Sequence, residues 1–170
     1  MSLSLITLLV IFPAIVAYAA VSDLLTMTIS NQLCLILLAG FGLCVVLLGL
    51  SWNQIGWHLG AGSLVLSMCF GMFAAGWIGG GDAKFAAVVA LWFGFDQLMP
   101  YLMLAGMAGG VLTLGILSLR SGPLPAIATG WPWMRRLHAA NEGVPYGIAL
   151  AFSALFVLPE TDLWRAAIGV

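Results

Sequence analysis

The sequence predicts an all-α, polytopic membrane protein with about six transmembrane helices. Three observations carry this. Of 170 residues, 63% are hydrophobic. Only 6% are Asp, Glu, Lys or Arg, against roughly 25% in an average soluble domain. The apolar residues also fall into runs near the ~20 residues that a helix needs to cross a bilayer. These charges are too few to coat a soluble chain, whereas a helix in hydrocarbon satisfies its own backbone. The lipid bilayer is therefore an expected partner. The chain, 1–170, reads as one membrane-embedded domain.

The first segment runs from about Leu3 to Val21. It has no charged start and no small-residue cleavage site, so it reads as a retained span rather than a removed signal peptide. The second covers about Ile29 to Leu50, and the third about Trp57 to Ile78. The fourth, about Ala83 to Phe95, is short. A helix of that length rises only ~20 Å, so it either spans from a glycine-rich cleft or forms a re-entrant segment. The fifth covers about Leu98 to Leu119, and the last about Val144 to Leu158. The pairs Gly56/Gly60 and Gly106/Gly110 are expected at close helix contacts. The connection 120–143 carries Pro123, Pro125 and Pro132, then Trp133 to His138. It reads as a surface-lying segment or an ordinary loop.

Positive charge sets the expected orientation. With the N-terminus outside, Lys84, Arg120, Arg135 and Arg136 lie in inner connections and only Arg165 lies outside. Trp52, Trp57, Trp92 and Trp164 then fall near the outer interface, and Trp77, Trp131 and Trp133 near the inner one. A net charge of -1 and the lack of a basic stripe give no nucleic-acid partner. Cys34, Cys44 and Cys69 form no C-x-x-C pair, and no H-E-x-x-H is present, so neither a metal nor another cofactor is expected.

Acidic residues beside spans are expensive, so each needs a reason. Asp96, Glu160 and Asp162 lie at outer ends, and Glu142 lies in a loop, where water is available. Asp23 and Asp82 differ. They come from separate parts of the chain yet share a depth at the expected inner face. Asp82 follows Gly79-Gly80-Gly81. These glycines remove bulk and permit positive φ, and no Gly-Lys-Ser/Thr follows to make a P-loop. Alone, Asp82 reads equally as a helix cap or a catalytic acid, and Asp23 as an interfacial helix end. Together, two carboxyls at one depth can share a proton. The ionised one draws a proton from water while the neutral one donates to a scissile carbonyl. The pair titrates as a unit, so neither role is assigned to one residue.

These residues resemble a family. Gly79-Gly80-Gly81-Asp82 fits the G-x-G-D signature of membrane aspartic proteases. With Ala83-Lys84 it resembles the G-x-G-D-x-K form of type IV prepilin peptidases. Ser22-Asp23 with Ile29-Ser30-Asn31 is similar to that family's first aspartate motif, an Asp followed by a basic stretch and Ile-Pro-Asn. Val144-Pro145-Tyr146-Gly147 resembles the element that opens its last span. Ser30 replaces the usual Pro, and Leu24 to Thr28 lacks the basic residues.

The resemblance implies an aspartic endopeptidase of the bacterial inner membrane that cuts at the cytoplasmic face. Asp23 and Asp82 would be catalytic. Gly79, Gly80, Gly81, Lys84, Asn31, Pro145, Tyr146 and Gly147 would support the motifs or contact substrate. The substrate would be a prepilin or pseudopilin with a basic leader, a small residue before the cut and an apolar helix after it. The absence of an N-terminal insert with paired C-x-x-C motifs resembles the short, protease-only enzymes of Flp (tight-adherence) pili. Archaeal preflagellin peptidases are related. Two other classes stay open: a proton-coupled transporter that uses the same acids as a relay, and a non-catalytic pilus or secretion assembly partner that should tolerate the loss of both.

Overall fold

The computed structural model describes residues 10–124 and 129–168. The start of the expected first span (residues 3–9) and Pro125 lie outside them. The described residues form helices α1 (Phe12–Thr26), α2 (Asn31–Leu48), α3 (Trp52–Ala74) and α4 (Gly80–Phe93). There follow α5 (Leu98–Arg120), α6 (Pro132–His138), α7 (Tyr146–Val157), a 3-10 turn (Leu158–Glu160) and α8 (Asp162–Ile168).

Local chemistry sets the ends. The Ser30 side chain accepts from Gln32 N–H and starts α2. Ser51 and Gln54 form a reciprocal capping box on α3, which satisfies two otherwise orphaned donors. Gly49 and Gly94, at φ +65° and +64°, end α2 and α4. Met27 ends α1 at φ 56°, a left-handed conformation that glycine ordinarily takes.

The protein is an all-α, polytopic membrane protein. Helices α2, α3 and α5 are each long and apolar enough to cross a bilayer. The pair Tyr146–Glu160 and Asp162–Ile168, bent by 50°, is long enough to make a fourth span. Large apolar side chains such as Val46, Phe70, Met107 and Val111 point outward. A surface of this kind suits lipid rather than water.

Helix α4 has only 14 residues, and most of them are buried. It packs against α3, α2 and α7. A helix surrounded by protein is apolar on all sides, which is why α4 shows no polar stripe. It is one continuous helix from Gly80 to Phe93. Lys84, the fifth residue of α4, bonds Asn31, at the start of α2. The Leu91 carbonyl near its other end accepts from His58, in the second turn of α3.

Three packing expectations change. Trp92 is 1% exposed and its Nε1–H donates to the Leu37 carbonyl at 3.1 Å, so it is core and not interfacial. Gly106 and Gly110 face open space. Close contact on α5 falls instead at Gly109, where a Cβ would lie 2.8 Å from the Tyr146 ring. On α3 it falls at Gly60 and Gly62, while Gly56 is open.

Candidate active site

One end of the bundle gathers the C-termini of α1 and α5, the N-termini of α2, α4 and α7, and α6. Contacts by Lys84, Arg120 and Arg136 link these ends. Four of the five Lys and Arg residues therefore cluster at this basic end, while Arg165 pairs with Glu160 elsewhere.

Asp23 lies in the last turn of α1 and is 4% exposed. The Gly147 N–H, at the start of α7, donates to its Oδ2 at 2.7 Å. That amide is one of the orphaned donors of a helix N-terminus, so the carboxyl fills a site that the backbone leaves open. Pro145 precedes it as the helix cap and is buried. A Cβ on Gly147 would stand 2.8 Å from both Asp23 Oδ2 and Ile29 Cδ1. Only glycine admits this approach.

Asp82 is the third residue of α4, and Gly79 is the cap. Its Oδ2 folds back on Gly79, 3.1 Å from where a Gly79 Cβ would stand. Its Oδ1 is buried without a hydrogen-bond partner among the described residues. One oxygen thus performs a cap-like task and the other is unengaged. A buried acceptor of this kind calls for an explanation beyond folding.

The two aspartates lie close enough for their charges to interact. Ile29 sits between their supports. A Cβ on Gly81 would be 3.3 Å from Ile29 N and O, and the Ile29 side chain meets Gly147 on the other side. None of Gly79, Gly80 and Gly81 has positive φ. The glycines serve close approach, to Asp82, Phe73 and Ile29 respectively, rather than an unusual backbone.

The turn between α1 and α2 is tied by hydroxyls. Ser22 Oγ donates to the Thr28 carbonyl at 3.0 Å, and Thr26 Oγ1 to the Ser22 carbonyl at 2.7 Å. Ser30, in place of proline, has φ -66°, the value that a proline ring imposes.

Lys84 and Asn31 bond each other at 2.9 Å and line an apolar cavity of ≈ 520 Å³ with Cys34, Ala87 and Leu91. Neither aspartate lines it. Residues two apart on a helix point about 200° from each other, so Lys84 turns away from Asp82. Tyr146 holds α5 through Thr113, hydroxyl to hydroxyl at 3.1 Å. Sequence reasoning placed Ile29 in a motif and Arg120 among the inner-face cations without giving either a role at the site, and it did not single out Thr113. Among the described residues no group of three or more His, Cys, Asp or Glu gathers that could hold a metal ion.

A model of the type IV leader peptidase family matches residues 10–114, a stretch that includes Asp23, Ile29, Gly79 to Asp82 and Lys84. The Pro145-Tyr146-Gly147 element lies beyond the matched residues. No curated protein and no solved structure gives a match.

Proposed function

The chain belongs to the type IV leader peptidase family, and from that premise we propose that it is an aspartic endopeptidase using Asp23 and Asp82 to remove the leader of a prepilin-type substrate. One observation carries the proposal. A buried carboxyl held by the Gly147 amide stands within electrostatic reach of a second carboxyl with an unengaged oxygen.

In the reaction one carboxylate takes a proton from water. The resulting nucleophile attacks the scissile carbonyl, while the other carboxyl gives that oxygen its proton. The tetrahedral intermediate collapses by breaking the C–N bond. The departing amine receives the proton that came from water, and the second proton returns to the dyad. The glycines on either side let Asp82, Ile29 and Asp23 pack against bare backbone, which sets where the carboxyls stand.

The substrate is of the Flp type or a related one, with a basic leader and an apolar helix after the cut. The basic end of the bundle is the cytoplasmic face of the bacterial inner membrane, in accord with the positive-inside rule. Cleavage then precedes assembly.

The test is co-expression with a candidate prepilin, with leader removal followed by mass spectrometry. The wild-type chain is expected to shorten the prepilin, and Asp23→Asn and Asp82→Asn to leave it intact. Full processing by both variants removes the catalytic assignment. Ion flux in liposomes without any cut product would favour transport instead.

A further inference from the structure

Arg120 is the last residue of α5, and it makes three hydrogen bonds to backbone carbonyls. Its Nε donates to Leu137 at 2.7 Å, and one terminal nitrogen donates to Glu142 at 3.1 Å and Gly143 at 3.0 Å. A guanidinium is a rigid fork of donors. Here it joins the end of α6 to the segment that leads into α7. Four residues after Gly143, the Gly147 amide holds Asp23.

Other residues of α5 engage the same segment. Thr113 bonds the Tyr146 hydroxyl at 3.1 Å, and Gly109 receives the Tyr146 ring. Positions 109, 113, 116 and 120 follow spacings of four, three and four, so they share one helix face. Ile116, between them, is buried. This face spans about 16 Å of helix rise and runs beside residues 142–147. Beside Leu137, in the last turn of α6, Arg136 donates to the Leu25 carbonyl, two residues past Asp23, and so hooks α6 to α1.

We infer that Arg120 is a positioning residue for the Asp23 carboxyl, acting through residues 142–147 and the Gly147 amide. Among the described residues its hydrogen bonds go to the Leu137, Glu142 and Gly143 carbonyls and to neither aspartate. The inference rests on the protease reading for its kinetic consequence but not for its structural one, so both are measured. A neutral side chain at 120 frees Glu142 and Gly143, and the amide drifts from the carboxyl. Misplacement by ~1 Å costs about 100-fold in a catalytic step.

The test uses the full chain in nanodiscs with a prepilin substrate and compares Arg120→Gln, Arg120→Lys and Arg135→Gln. Arg135 is exposed in the same connection and loses the same charge. In R120Q, kcat is expected to fall about 10- to 100-fold with KM within about twofold. R120K should fall between R120Q and wild type, because an ammonium cannot fork to three carbonyls. R135Q should match wild type. Hydrogen exchange at residues 144–149 should quicken about 10-fold or more in R120Q alone.

Unchanged exchange with unchanged kcat overturns the inference, as does a loss carried by KM. Absence of cleavage by the wild type would count against the protease reading, and exchange would still decide whether Arg120 holds the segment. Should R120Q fail to accumulate, Thr113→Val, which cuts the bond to Tyr146, carries the same two outcomes.

Discussion

Asp23 and Gly147, 124 residues apart in the chain, meet in a 2.7 Å hydrogen bond from the Gly147 amide to Asp23 Oδ2. This bond joins the end of α1 to the start of α7 and fixes one carboxyl of the proposed dyad. It depends on the absence of a side chain at 147.

Gly147→Ala should therefore impair cleavage more than stability. The new Cβ would sit 2.8 Å from Asp23 Oδ2 and from Ile29 Cδ1. Overpacking costs about 1–3 kcal/mol, whereas displacement of the carboxyl costs about 100-fold in rate. Gly106→Ala, where a Cβ meets open space, is the matched control. Melting in detergent and leader-removal kinetics on both variants read the two effects. Equal rates for the two variants would show that the contact has no catalytic weight.

Ser30 tests whether the exchange of proline for serine matters. Its φ of -66° already suits a proline ring. Ser30→Pro should leave cleavage within about twofold. Ser30→Ala should cost about 1 kcal/mol, since the bond from Gln32 N–H is lost and nothing replaces it. Denaturation midpoints and processing rates of the two variants check this. A severe defect in S30P would mean that the turn needs a freedom that φ does not reveal.

Met27 closes α1 in a left-handed conformation. An L-residue there carries strain of about 1–2 kcal/mol, which glycine relieves. Met27→Gly should raise the melting temperature and Met27→Val should lower it, since branching at Cβ adds to the strain. A fall in both would show that Met27 packing outweighs its backbone cost.

Helices were legible in the sequence because hydrocarbon leaves the backbone no other partner. Low charge and long apolar runs therefore announced them directly. Asp23 and Asp82 stood out as candidates for a related reason, because an acid at a span end needs water, a partner or a task. Which face a glycine pair turns inward was not legible. Gly106 and Gly110 have the right spacing, but Gly109 meets Tyr146, and spacing alone carries no information about neighbours. Trp92 looked interfacial by its depth, and the Leu37 carbonyl drew it into the core. Arg120 was hidden most completely. Its partners are three loop carbonyls, and every residue has a carbonyl. Its one visible sign was a cation at a span end, already explained by orientation.

The most direct test of the dyad is a rate comparison of Asp23→Asn, Asp82→Asn and the double variant, purified and supplied with a prepilin. Two carboxyls that share a proton act as a unit, and their losses do not multiply. Each single variant should lose about 10²- to 10⁴-fold in kcat, and the double should be no slower than the worse single. A single variant near the wild-type rate, or a double whose loss is the product of the two singles, would contradict a shared-proton pair.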